Sequence, residues 1–316
     1  MLVPGGHTLG VKIFSDGVLI IGLSSVSTTE GEICPAQEGG LHAGDMITHI
    51  NARVVNTTQS LQQALSESGG QPVAVRVRRG ENQTLTFTVT PGQSLPDHEY
   101  KLGAWVRDSM AGIGTLTYLN PETGRFGALG HGVNDVDTGR LLPLSTGSVM
   151  YSTVEDVRRG EAGSPGELKG RFDLEKDSGI LEHNSESGVF GHLDDERLTN
   201  GTAPVPVREA PDVKVGKAVI RSNISGDEVR EYNVEIVRIY SSAGGQMRDF
   251  MLRVTDPALL EATGGIVQGM SGSPVLQDGC LVGAVTHVLI NDPKRGYGIF
   301  IQSMLKEDAA YLDNAA

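Results

Sequence analysis

The sequence predicts a mainly β protein of two domains, and three observations carry that expectation. Its 316 residues exceed what one compact core usually organises. Apolar residues recur in short runs separated by glycine turns, and long helical periods are few. The 42 glycines, well above the usual ~7% of a chain, have no collagen-like period and fall at turns and in short clusters.

Composition narrows the function classes. With 38% hydrophobic and 21% charged residues the chain can build substantial cores, which excludes a disordered protein or a short disulfide scaffold. A net charge of -13 and the lack of any Lys/Arg tract argue against a nucleic-acid surface. The start MLVPGGHTLGVKIFSDG shows no signal peptide or membrane span. Cys34 and Cys280 form no CxxC pair or Cys/His cluster, HExxH is absent, and no GKS or GKT completes a phosphate loop. No metal or cofactor is expected.

The first domain is expected over residues 1–90. Gly10 to Ile13 and Val18 to Gly22 read as short strands, and GDMITHINARVV as a turn followed by a strand. Leu61 and Leu65 lie one helical turn apart in QSLQQALSES, behind a Thr57-Thr58 pair able to cap a helix that ends at Gly69-Gly70. VAVRVRR and QTLTFTVT then give two alternating strands around a Gly turn. This order, with the phrases PAQEGGLHAGDMITHINARVV and LQQAL, resembles a PDZ domain, a small partly open barrel that binds peptides by adding them to a sheet edge. The resemblance implies a carboxylate-binding loop around PGGHTLGVKI, ending at Leu9 and Gly10. Leu61 and Leu65 are expected in the core, because a short helix must bury its apolar face.

PGQSLPDHEYKLG marks a boundary, and the second domain is expected over 91–316. It reads as short strands and glycine turns, with helical fragments only near Thr153 to Arg159, Pro257 to Thr263 and Met304 to Leu312. An antiparallel barrel or sandwich is expected.

The sharpest local signal is Gly264 to Pro274, GGIVQGMSGSP. A serine in such a turn can expose its hydroxyl while the backbone N–H groups of Gly269 and Ser271 converge on an oxyanion. Ser271 is the candidate nucleophile, and Ser273, just before Pro274, fits a structural position; an ordinary hairpin turn would use the same residue types. A serine nucleophile requires a general base and a group to orient it. His131, framed by glycines in FGALGHGV, leads over His192 and His287, the last following the serine by one hairpin. Asp256 is the favoured acid, with Asp135, Asp137, Asp173 and Asp177 as alternatives; its other reading is a cap on the PALLEAT turn.

WVRDSMAGIGTLTYLNPETGRFGALGHGVNDVDTG, GEAGSPGELKGRF and GGIVQGMSGSPVLQDGCLVGAVTHVLINDPKRGYGIFI, together with the PDZ-like segment, closely resemble the stage IV sporulation protein B peptidase family. The resemblance spans almost the whole chain and implies a serine endopeptidase with a distantly chymotrypsin-like β-barrel domain, catalytic His131 and Ser271, and Asp256 as the acidic member. It further implies a forespore-secreted protease acting between two membranes, whose cleavage of a regulator releases a membrane-embedded metalloprotease that activates a sigma factor. Autoprocessing and self-recognition through the PDZ domain belong to the same expectation. Family members normally begin with a membrane-directing segment, whereas this sequence begins almost at the PDZ-like region.

Overall fold

The computed structural model describes residues 1–80, 83–199, 201–240 and 248–315. The protein is mostly β, as expected, and it contains a closed antiparallel barrel. Around that barrel the strands run in the order Gly216–Ser222, Arg230–Ile239, Phe250–Val254, Asp292–Phe300, Cys280–Leu289 and Pro274–Gln277. Its interior is an apolar core that includes Ile220, Ile236, Phe250, Leu252, Val275, Val282 and Val285. In the strand Arg230–Ile239 buried Tyr232, Val234 and Ile236 alternate with more exposed residues, the period-2 pattern of a one-sided strand.

The chain divides into two compact units, but neither is one continuous stretch. The larger comprises residues 1–13, 111–133 and 146–316, and the smaller 14–110 and 134–145. These units differ from a division into 1–90 and 91–316, because the strands Thr8–Leu23 and Ala104–Leu119 each run from one unit into the other. A local reading sees two ordinary strands there and cannot see that each changes partners along its length.

A second strand system stands beside the barrel in the strand order. Ala104–Leu119, Arg125–Ala128, Gly188–Leu193, Glu167–Ser185, Thr146–Arg158 and Thr8–Leu23 are neighbours in that order, and the first and last also pair, so the six form a cycle. The helix expected near Thr153 to Arg159 is instead part of the strand Thr146–Arg158, paired with Glu167–Ser185 from Gly147↔Leu181 to Arg158↔Glu167. Long-range pairing outweighs the weak local helical preference of VEDVRR. The two other expected helices form, as Pro257–Thr263 and Ile301–Ala315.

In the smaller unit Asp45–Ile50, Val73–Arg79 and Gln83–Val89 form an antiparallel sheet beside the helix Thr58–Glu67. Thr57 caps that helix, its hydroxyl accepting from the Ser60 N–H while the Ser60 hydroxyl accepts from the Thr57 N–H. Leu61 and Leu65 are buried in a core with Val18, Ile47, Val75 and Leu102.

Candidate active site

The serine turn is built by the strands around it. The helix Pro257–Thr263 ends on Gly264, and the chain then passes through Gly269 at φ 96° and Gly272 at φ 96°. At Gly272 a Cβ would lie 2.0 Å from the Thr115 carbonyl oxygen and 2.5 Å from the Leu129 nitrogen. Only glycine satisfies both the conformation and the approach. Buried Thr115 and Thr117 then spend their hydroxyls on the turn: Thr115 Oγ1 donates to the Gly269 carbonyl (2.7 Å) and Thr117 Oγ1 to that of Gly272 (2.8 Å). The Thr115 N–H donates to the Ser271 carbonyl at 2.8 Å. Most buried hydroxyls in folded proteins are hydrogen-bonded, and here two of them are used by this alternating strand to fix the turn.

The expected oxyanion donors have the right freedom. The Gln268 carbonyl accepts from the Leu168 N–H (2.8 Å), and the Met270 carbonyl from the Ser273 N–H (3.0 Å). Across a trans peptide the following N–H points the opposite way, which turns the Gly269 and Ser271 N–H groups away from those donors. Among the described residues neither N–H has a protein acceptor. The Ser271 hydroxyl donates to the Thr286 carbonyl at 2.7 Å. Ser273 is fully buried and is a structural residue, its carbonyl accepting from the Val285 N–H.

His131 follows the strand Arg125–Ala128 through two consecutive left-handed residues, Leu129 at φ 70° and Gly130 at φ 68°. Leucine rarely adopts that conformation, and such strain concentrates at functional turns. Because Gly272 packs on the Leu129 backbone, the histidine and serine turns abut. The His131 Nδ1 lies 2.8 Å from the Gly132 carbonyl, which assigns the proton to Nδ1 and leaves Nε2 as the acceptor. Desolvation lowers the His131 pKa from its ordinary value, against the upward pull of the Gly132 contact and the Glu186 charge. The ring packs against that of His287, centroids 4.9 Å apart and planes tilted by 37°. His192 sits elsewhere, opposite Arg125, with its Nε2 close over Gly124.

The expected acid requires a correction. Asp256 is the N-cap of the helix Pro257–Thr263: one carboxylate oxygen accepts from the N–H groups of Ala258 (3.0 Å) and Leu259 (3.2 Å), and the other from the Asn233 N–H (3.1 Å). Partial desolvation works upward on its pKa, but these backbone donors hold it below the usual carboxylate value. Both oxygens are committed to backbone, and the His131 Nδ1 is committed to Gly132. Asp135 and Asp137 are paired with Arg107, and Asp173 with Arg197. The groups that sequence reasoning missed are carbonyls, those of Gly132 and Thr286, which carry no residue-type signal.

The strand Ala104–Leu119 and the turn after Arg125–Ala128 lie, with the barrel and the serine turn, within a stretch that matches one family throughout. Residues 98–305 match the SpoIVB peptidase S55 family. The chain belongs to that family. It is a serine peptidase, acting on protein or peptide substrates. Residues 26–79 of this S55 peptidase match a PDZ domain. Among solved structures, it is similar to the active form of the Rv3671c protease from M. tuberculosis, at 16% identity, 63% of this chain, 74% of that chain and TM-score 0.35. The HtrA-type protease AlgW with a decapeptide gives 12%, 68%, 54% and 0.38. No curated protein matches.

The peptide-binding expectation at Leu9 and Gly10 is also corrected. Both residues are buried in the larger unit, where a Cβ on Gly10 would lie 2.6 Å from the Phe172 ring, and the Thr8 N–H donates to Asn223. They sit within a continuous strand, Thr8–Leu23, and not in a loop. A cavity of about 490 Å³ lies instead within the smaller unit, between Thr58, Leu61 and Leu65 of the helix and the segment Lys101–Val106. Trp105 at its edge is 66% exposed.

Proposed function

We propose that this S55 peptidase uses His131 as general base and Ser271 as nucleophile, with the Gly269 and Ser271 N–H groups stabilising the oxyanion. The observation that carries this reading is the abutting pair of glycine-framed turns, one leaving two N–H donors without acceptors among the described residues beside a serine and the other leaving a histidine Nε2 as an acceptor. Rotation of the Ser271 side chain away from the Thr286 carbonyl frees its hydroxyl to donate to the His131 Nε2 as it attacks a peptide carbonyl. His131 gives that proton to the departing amine as the peptide C–N bond breaks; water, deprotonated by the same imidazole, then attacks the acyl-enzyme, releasing the acid while His131 returns a proton to the Ser271 oxygen. Each oxyanion donor is worth about 3 kcal/mol of barrier lowering.

Family membership supports, as a physiological role, cleavage of a regulator of a membrane-embedded metalloprotease in sporulation signalling, in the space between two membranes, with self-cleavage as a further reaction. The decisive experiment incubates the protein with candidate regulator fragments and maps the products by mass. Ser271→Ala is expected to lower the rate at least about 10³-fold. Full cleavage by a folded Ser271→Ala protein would refute the assignment.

The groove beside the helix Thr58–Glu67 is the proposed peptide site of the PDZ unit, taking an extended apolar peptide. Trp105, the chain's single tryptophan, reports on it. Such peptides, up to millimolar concentration, are expected to shift its fluorescence to shorter wavelength in a saturable way, and an unchanged spectrum would remove the site.

A further inference from the structure

Resting on the His131–Ser271 reading, we propose that His287 is a positioning residue for His131, packing its ring against the catalytic imidazole, whose Nδ1 is bonded, among the described residues, to a backbone carbonyl and not to a carboxylate. The need for such a group is visible in the local geometry. Among the described residues, the bond from His131 Nδ1 goes to the carbonyl of the next residue, Gly132, so it moves with the same turn as the ring it holds. The Asp256 carboxylate is spent on a helix end, and Asp135, Asp137 and Asp173 are paired with arginines. His287 supplies a contact from a different element, the barrel strand Cys280–Leu289.

That strand is a firm support. His287 pairs with Tyr297 on the adjacent barrel strand, and Gly296 lies close enough that a Cβ on it would stand 2.8 Å from the His287 carbonyl oxygen. The preceding residue, Thr286, accepts the Ser271 hydroxyl through its own carbonyl. One dipeptide, Thr286-His287, therefore touches both reacting side chains. Gly130 closes the same contact from the histidine side, where a Cβ would lie 3.1 Å from the Thr286 methyl and 3.3 Å from the Ala284 Cβ.

The charged groups facing the pair are few and define the pH behaviour. Glu186 acts on His131, whereas His131 and Arg248 act on His287. Desolvation, then the His131 and Arg248 charges, lower the His287 pKa to about 4, although the residue keeps solvent access. His287 is consequently neutral at neutral pH and works by contact. The acid limb of kcat/KM belongs to His131, which must be unprotonated to accept the serine proton, and it falls below the ordinary histidine value of 6.5.

The test compares His287→Ala, His287→Phe and His287→Glu in the full chain, each checked for folding by circular dichroism, with labelling of Ser271 by a fluorophosphonate and steady-state peptide cleavage as readouts. His287→Ala should lose about ten- to a hundredfold in kcat with little change in KM, as expected for a misplaced catalytic group. His287→Phe keeps an aromatic face and should restore kcat to within about threefold, with the acid limb unmoved. His287→Glu places a carboxylate beside the imidazolium and should move that limb to higher pH. Wild-type protein that neither labels at Ser271 nor cleaves would overturn the underlying His131–Ser271 reading and this proposal with it. Wild-type activity with His287→Ala equally fast, His287→Phe as slow as His287→Ala, or an unmoved limb in His287→Glu would overturn the positioning role alone.

Discussion

The turn that carries Ser271 and the cap formed by Asp256 lie fifteen residues apart in the same unit, and they spend their polar groups in opposite ways. At the cap both carboxylate oxygens accept backbone donors, which holds the start of the helix Pro257–Thr263 against the barrel strand at Asn233. At the serine turn the carbonyls of Gly269, Ser271 and Gly272 are tied down by Thr115 and Thr117, while the N–H groups of Gly269 and Ser271 are left open. A residue whose bonding capacity is filled by backbone is holding structure. A site fixed from behind and unsatisfied in front is built to receive something.

That contrast is broken most severely at Gly272. In Gly272→Ala the new methyl meets the Thr115 carbonyl and the Leu129 backbone in a conformation that L residues rarely adopt. A loss of about 3 kcal/mol or more in stability is expected, with peptide cleavage reduced more than about a hundredfold as the turns are forced apart. Chemical denaturation and cleavage assays on the folded fraction measure the two effects separately. Wild-type stability in Gly272→Ala would show that the turns do not pack as described.

A smaller and different effect is expected at the cap. Asp256→Ala removes a helix N-cap and should cost about 1 kcal/mol of stability, within the usual 0.5–2 kcal/mol range. Its kcat should stay within a few-fold of the wild type. Smallest of all is Asp256→Asn, because asparagine caps nearly as well as aspartate, and both measurements should then be close to wild type. A loss of about 10³-fold or more in kcat for a stable Asp256→Asn protein would restore this residue to the catalytic machinery and undo the contrast.

Much of the candidate site is legible because its signals are local. Gly130 and Gly132 frame His131, and GMSGSP carries its turn in its own composition. The Thr57 cap and the alternating strands Val73–Arg79 and Gln83–Val89 were legible for the same reason. Asp256 was misassigned because spacing along the chain cannot distinguish a carboxylate turned toward a histidine from one turned back onto its own helix. Leu9 and Gly10 were misplaced because a glycine-rich phrase looks like a loop whether or not strand partners are waiting for it. Thr153 to Arg158 lie in a strand because the partner that decides their conformation, residues 167–171, lies beyond any local window.

The sequence by itself determined the mainly β class, the two glycine-framed turns, the capped helix and the family, since each rests on residue types at short spacing. The tertiary structure decided that Asp256 caps a helix, that Gly132 and Thr286 present carbonyls to His131 and Ser271, and that His287 packs on the His131 imidazole. The physical reason is directional: a hydrogen bond or ring contact depends on where a side chain points, and strands distant along the chain set that direction only once they have paired.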